Sequence, residues 1–325
     1  MVKPIDRVLK CLLIKQLDVL ARLLTRVLPV YVREPFRVRY FPLWEKYGFH
    51  LSPVHFYEPM PDTRILTDAL LEKKSELIGI DMQEADQLDL LHNVFPQFRA
   101  EYAEIPREPG TDPKQFYLNN GFFTGADALV YYGMVRHFNP QLVIEVGSGF
   151  SSRLAARACL RNGRGELICI EPNPDRILTD GFGGLTTLIA KRVEDVGFDL
   201  FQRLRANDIL FIDSSHVVRC GGDVNCLLLE IVPRLNPGVI VHLHDIFLPH
   251  EYGRAWVIDR YRFFTEQYLL QAFLTFNTEF RVLFANHYMA VKHQGEMAAL
   301  FPNSSGFGST SFWMRRTMEL PTSDE

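Results

Sequence analysis

Asp213 and His216 stand three residues apart, and His244 is followed directly by Asp245. Each set closes an apolar run, Asp208-Ile209-Leu210-Phe211-Ile212-Asp213 in one case and Val239-Ile240-Val241-His242-Leu243-His244 in the other. A histidine that titrates near neutrality can take a proton from an alcohol or a phenol. His216 and His244 are therefore the candidate catalytic bases, and the plainer alternative for each is a ring that only orients a loop. His242 lies mid-run, two residues before His244 and on the same face, and reads as structural.

A second constellation is Glu145-Val146-Gly147-Ser148-Gly149-Phe150-Ser151-Ser152. Two glycines let a backbone turn sharply and approach a ligand closely. A dinucleotide turn would read GxGxxG, but Ser152 takes the third glycine's place. A carboxylate at Glu145 would repel a pyrophosphate and suit a cationic ligand group. Glu171 closes the apolar run 166–171, where a carboxylate accepts hydrogen bonds from ribose hydroxyls. S-adenosylmethionine carries a sulfonium, an ammonium and a ribose, and fits this pattern.

These residues need a sheet to hold them. Val- and Ile-rich runs at 142–146, 166–171, 187–190, 208–213 and 239–244 read as strands, and 280–284 and 309–314 as the last two. Helical patterns lie between them at 126–138, 153–161, 199–205, 224–232 and 261–273. Strands alternating with helices imply an α/β fold with a parallel, doubly wound sheet, whose ligand crevice lies at the carboxyl ends of the strands. A Gly- and Ser-rich loop is expected at 303–308. Loops after strands five and six carry His250, Glu251, Tyr252 and Arg254, and then Asn286, His287 and Tyr288. The first of these loops is placed either to cover an acceptor or to lie on the surface.

At Glu145-Val146-Gly147-Ser148-Gly149 and Glu171 the sequence resembles the class I S-adenosylmethionine-dependent methyltransferases. The stretches 211–216, 241–247, 119–123 and 308–313 resemble a bacterial small-molecule and sugar-type branch of that superfamily, often found near polysaccharide and natural-product genes. The resemblance implies a Rossmann-like seven-stranded sheet whose last strand is antiparallel, in a domain over 119–325. It implies cofactor contacts from Glu145, Gly147, Ser148, Gly149, Ser151, Glu171, Glu194, Asp195 and Asp213, with Glu194-Asp195 near the adenine amine. Related catechol-type and sugar O-methyltransferases hold Mg²⁺ with acids at the ends of strands four and five. That implies a metal set of Asp213, His244 and Asp245, for Mg²⁺ or another divalent metal, although histidine is a softer ligand than Mg²⁺ prefers. In the catechol-type enzymes a lysine base stands where this chain has His216. The implied function is methyl transfer to a small-molecule or saccharide hydroxyl. A metal-dependent oxidation like that of the cephalosporin hydroxylases, or a non-catalytic cofactor-binding subunit, is the alternative.

The 325 residues carry a net charge of −4, so the chain has no global nucleic-acid footprint. The five cysteines form no CxxC pair and read as reduced thiols of a cytoplasmic protein. Residues 1–40 are basic, with leucines at helical spacing from Leu9 to Leu28. This amphipathic helix is interrupted too often by charge to span a membrane. It reads as packing on the enzyme body or a second subunit, or as lying on an anionic membrane surface. Residues 41–118 form the rest of a mainly helical N-terminal extension, proline- and aromatic-rich to 65 and then helical at 66–76 and 81–94.

Overall fold

The structure is a computed structural model and describes residues 7–27, 34–301 and 309–317. It divides into two compact units, meeting at Thr67 and Asp68. In the first unit the leucine spacing forms the helix Arg7–Val27, with Leu13, Ile14, Leu17, Leu20 and Leu23 exposed. A second helix, Glu34–Glu45, runs through Pro42, and the proline-rich residues after it hold no strand or long helix. The side chains of Leu9, Leu12 and Val27, all of Leu28, and the loop expected at 303–308 lie outside the described residues.

The second unit is built on a seven-stranded sheet in the order β3-β2-β1-β4-β5-β7-β6. Its strands are β1 Leu142–Val146, β2 Glu166–Ile170, β3 Thr187–Ile189, β4 Ile209–Ile212, β5 Ile240–Leu243, β6 Phe280–Ala285 and β7 Phe312–Arg316. The first five are mutually parallel, and β7 runs antiparallel between β5 and β6. Helices cover both faces, so β1, β4 and β5 are buried throughout and read as continuous apolar runs. Alternation then sorts their side chains into two cores. Val143, Leu167, Ile209, Phe211 and Ile240 face one core together with the helix Gly125–Phe138. Leu142, Ile144, Val146, Leu210, Ile212 and Val241 face the other. Glu145 shares parity with Val143, and that places its side chain in the first core.

Three sequence expectations change here. The expected boundary between 118 and 119 falls inside the second unit, because Phe95, Tyr102, Ile105 and Phe116 are buried in the first core. The helix expected at 66–76 stops after Asp68–Leu71. Lys74 instead bridges His250, and the Ser75 amide donates to the Pro249 carbonyl at 2.7 Å, so this stretch is extended along the loop after β5. The helix expected at 261–273 starts late, at Glu266–Leu274, because the amides of Thr265 and Glu266 donate to the His216 carbonyl at 2.9 and 3.1 Å.

Candidate active site

The glycine turn begins where β1 meets β4. Gly147 has φ +80°, and a Cβ there would stand 1.8 Å from the Asp213 carbonyl oxygen. Its amide donates to Ile170 at 3.0 Å, while the Asp213 amide donates to Val146 at 2.9 Å. Glycine thus lets the ends of β1, β2 and β4 close on one another. The helix Phe150–Asn162 starts at once, and Ser152 Oγ accepts the Gly149 amide at 3.0 Å.

Beside this turn lies a cavity of about 390 Å³, walled by Gly147, Ser148, Gly149, Ser151, Glu171 and Asp213 with Phe122, Phe123, Phe150 and Asp175. Phe122 stacks on Phe150 with centroids 5.6 Å apart, and Phe122 is largely exposed. A Cβ at Gly149 would meet no atom within 4 Å, so the turn leaves open space there. The donor set fits S-adenosylmethionine: turn amides at a helix start, a carboxylate at the end of β2 and an aromatic wall.

Glu145 is corrected. It does not wall this cavity but is fully buried behind β1. Tyr131 Oη donates to one carboxyl oxygen at 2.7 Å, and Ser152 Oγ bonds the other. Burial pushes its pKa up to about 7 despite these bonds. The residue ties strand, turn and helix together rather than meeting a cationic ligand. A folded pKa above the unfolded one makes an acid destabilising as pH rises through that window. Glu145→Gln should therefore gain about 2.5 kcal/mol on the native protein between about pH 5 and about pH 8. Paired thermal melts whose difference does not change with pH would contradict this.

Glu194 and Asp195 sit in the short turn Val193–Asp195 and are not among the residues that wall the cavity. Asp195 is paired with Arg192, with Nε 2.9 Å from Oδ2. Both belong to the stretch after β3, and Asp195 is exposed.

The acids and histidines at the ends of β4 and β5 do converge. Asp213 Oδ1 is 3.2 Å from His216 Nε2 and 3.5 Å from His244 Nδ1. Asp245 reaches both rings, at 3.6 Å each. His216 and Asp245 hold left-handed backbone, φ 60° and 55°, which turns each chain end back over the sheet. Two further acids complete the cluster. Glu266 Oε2 holds His216 Nδ1 at 2.8 Å. Asp127 stands 3.5 Å from His244 Nε2 and also accepts from the amides of Thr310 and Ser311 and from Asn286 Nδ2.

Burial alone would lower the histidine pKa values, but these carboxylates outweigh it. Asp213 and Glu266 push His216 up to about 10, and Asp213, Asp245 and Asp127 raise His244 well above its usual value. Burial opposes ionisation of Asp213 too, yet the two imidazolium neighbours hold it below the usual carboxylate range. Asp127 is likewise lowered, whereas burial keeps Asp245 and Glu266 raised. His242 is the exception: burial leaves it neutral, stacked on Phe211 at 4.0 Å with Nε2 2.8 Å from Ser311 Oγ.

The expected metal set of Asp213, His244 and Asp245 is brought together, but as ion pairs facing one another. Among the described residues no group of three or more His, Cys, Asp or Glu side chains is arranged to hold a metal ion. A cation at this set would have to displace the proton that the carboxylates hold on His244.

Asp127 and Glu266 are the site residues that sequence reasoning missed. Asp127 falls at the start of the helical pattern expected at 126–138. An acid inside the otherwise apolar Ala126-Asp127-Ala128-Leu129-Val130 is the signal that marks it.

Residues 144–246 match the family described as methyltransferase domain. An uncharacterised protein of Archaeoglobus fulgidus is 32% identical over 178 residues, covering 50% of this chain and 77% of the relative. Among solved structures, the O-methyltransferase TomG of Streptomyces achromogenes, involved in tomaymycin synthesis and in complex with S-adenosylmethionine, is 15% identical. The match covers 77% of this chain and 94% of TomG with a TM-score of 0.37. The O-methyltransferase of Bacillus cereus in complex with S-adenosylhomocysteine is 11% identical over 73% of this chain and 98% of that one, with a TM-score of 0.35. The sheet order, the antiparallel β7 and the glycine turn define a Rossmann-like methyltransferase fold. The chain is a methyltransferase of the class I fold, by its methyltransferase domain at 144–246 and its sheet order.

Proposed function

We propose that the protein methylates a hydroxyl oxygen of a small molecule or sugar, with His216 as the base. One observation carries this reading: Asp213 is among the residues that wall the cofactor cavity, and its Oδ1 stands 3.2 Å from His216 Nε2. When bound, S-adenosylmethionine supplies an electrophilic methyl carbon and a neutral thioether leaving group. Glu266 orients His216 by holding Nδ1, which aims Nε2 at the Asp213 side of the crevice. Nε2 receives the acceptor's hydroxyl proton as the oxygen bonds to carbon. His244 stays charged between three carboxylates, keeps Asp213 ionised and helps to fix its orientation, a role that leaves the base's part to His216. Positioning of the acceptor supplies most of the rate gain.

The base form of His216 is populated only as pH rises toward about 10. Log kcat/KM should therefore climb with pH through the neutral and mildly alkaline range, at unit slope. His216→Gln should lower turnover by about 10² to 10⁴ while leaving S-adenosylhomocysteine affinity unchanged. The check is S-adenosylhomocysteine release with a panel of phenols and sugars against amine and thiol analogues of the same shape. Turnover confined to the amines, or a His216→Gln variant as fast as the native protein, would sink the reading.

A cytoplasmic setting is supported by the free thiols of Cys159, Cys169, Cys220 and Cys226. No helix among the described residues is long and apolar enough to cross a membrane. The exposed apolar face of Arg7–Val27 with Lys15, Arg22 and Arg26 supports peripheral membrane contact or pairing with a second copy. The charge balance gives no support to a nucleic-acid partner.

A further inference from the structure

A second cavity, about 850 Å³, opens at the same edge of the sheet. Its walls are tied to the acid–histidine cluster at three places. Phe247 follows Asp245 by two residues, and Ser309 precedes Thr310, whose Oγ1 is 3.4 Å from Asp245 Oδ1. His287 follows Asn286, whose Nδ2 donates to Asp127 at 2.7 Å. Strand order gives the layout: the cofactor cavity lies over β1 and β2, the cluster over β4 and β5, and this cavity over β5, β7 and β6.

The interior is apolar and aromatic, with Phe247 and Trp256 edge to face at 5.8 Å. The charged residues that line it, Glu72, Lys74 and Glu251, are exposed or half-buried at its rim. The polar group inside is a pair of imidazoles, His250 Nδ1 and His287 Nε2, 2.9 Å apart. Two nitrogens at that distance need one donor and one acceptor. The Ser309 main chain bonds His287 and favours its protonated nitrogen, so Ser309 is the acceptor there. His287 Nε2 is then an acceptor, His250 Nδ1 is the donor, and the relay ends in a lone pair on His250 Nε2. Burial keeps both rings neutral, pushing His287 down to about 4 and His250 below its ordinary value.

We infer that this cavity seats the methyl acceptor, an uncharged, flat, hydroxyl-bearing aromatic of the phenol class, one hydroxyl donating to His250 Nε2. The word acceptor rests on the methyl-transfer reading; the cavity's preference for such a molecule does not. A sugar would bring several hydroxyls into an apolar lining whose interior offers them a single imidazole pair, leaving most of them unpaired, and an anion would meet no cation inside it. A cavity of this size and lining is that of a small-molecule site.

The test is binding to the full-length protein, with 2-naphthol, naphthalene and glucose as probes. Saturable 2-naphthol binding is expected, about tenfold tighter than that of naphthalene and weakened about tenfold by His250→Ala. Ala290→Trp, which fills the cavity, should weaken both aromatics, and glucose should not compete. Glucose binding as tightly as 2-naphthol overturns the inference, as does 2-naphthol affinity unchanged in both variants. The naphthalene comparison needs no variant and stands if either fails to fold. S-adenosylhomocysteine is titrated separately. If it does not bind while 2-naphthol behaves as expected, the methyl-transfer reading fails and the cavity assignment holds. If it binds and 2-naphthol does not, the reverse is true.

Discussion

Asp213→Asn should abolish measurable turnover and destabilise the protein by about 3 kcal/mol at neutral pH. The substitution keeps the shape and removes only the charge. Asp213 Oδ1 is shared by His216 Nε2 and His244 Nδ1, and both rings are buried to 7% exposure. Removing one partner of a buried ion pair costs more than the pair itself contributes, because the remaining charges stay desolvated. Asp213 is ionised more readily when folded than when unfolded, so its contribution is present above the unfolded carboxylate pKa and lost as pH falls. The native and variant proteins should therefore differ most at neutral pH and converge in acid. The histidines run the other way. His216 is raised, so its charged form stabilises fully below its unfolded pKa, and that contribution is lost as pH rises through about 10. Denaturant melts across pH check both directions. An Asp213→Asn protein as stable as the native one at neutral pH would show that the cluster is not an ion-pair network.

Gly147→Ala should cost at least about 3 kcal/mol, and S-adenosylhomocysteine binding with it. Left-handed backbone costs a non-glycine residue about 1 to 2 kcal/mol. The larger part is steric. A Cβ 1.8 Å from the Asp213 carbonyl oxygen cannot be relieved by a rotamer, since the obstacle is main chain. The ends of β1 and β4 must separate, and the bond from the Asp213 amide to Val146 goes with them. Gly149→Ala is the matched control. Its φ of 179° is extended backbone and its Cβ would meet nothing within 4 Å, so that variant should fold normally. It should nonetheless bind S-adenosylhomocysteine more weakly, because the added methyl projects into the space beside the turn. Equal stability of the two variants, measured by thermal melt, would contradict the close approach at Gly147.

Much of this was legible in the chain itself. The β-branched runs marked β1, β2, β4 and β5 to within a residue or two, because buried parallel strands carry uninterrupted apolar sequence. The convergence of Asp213, His216, His244 and Asp245 followed from topology, since neighbouring parallel strands end at one edge. Side-chain direction did not follow from motif. Glu145 was placed by strand parity, which sends it to the core with Val143, and the motif alone does not report parity. Glu266 and Asp127 meet the histidines across long sequence separations, and no local pattern encodes that. The false helix at 66–76 has the same origin: its Lys74 and Ser75 find partners in the loop after β5. Local propensity lost to a tertiary pairing there.

We propose that the cavity beside Gly147, Gly149 and Glu171 holds S-adenosylmethionine. Calorimetric titration of S-adenosylhomocysteine into the full-length protein and into Glu171→Ala tests it most directly. Glu171 is half-buried just past β2 and walls the cavity, and its Oε1 accepts the Asn173 amide at 2.8 Å. A carboxylate there would accept hydrogen bonds from ribose hydroxyls, so its loss should weaken binding at least about tenfold, with no change in melting temperature large enough to signal unfolding. Saturable binding by the native protein and that loss in the variant are the predicted results. Equal affinity in the two proteins, or no binding by the native one, would contradict the assignment.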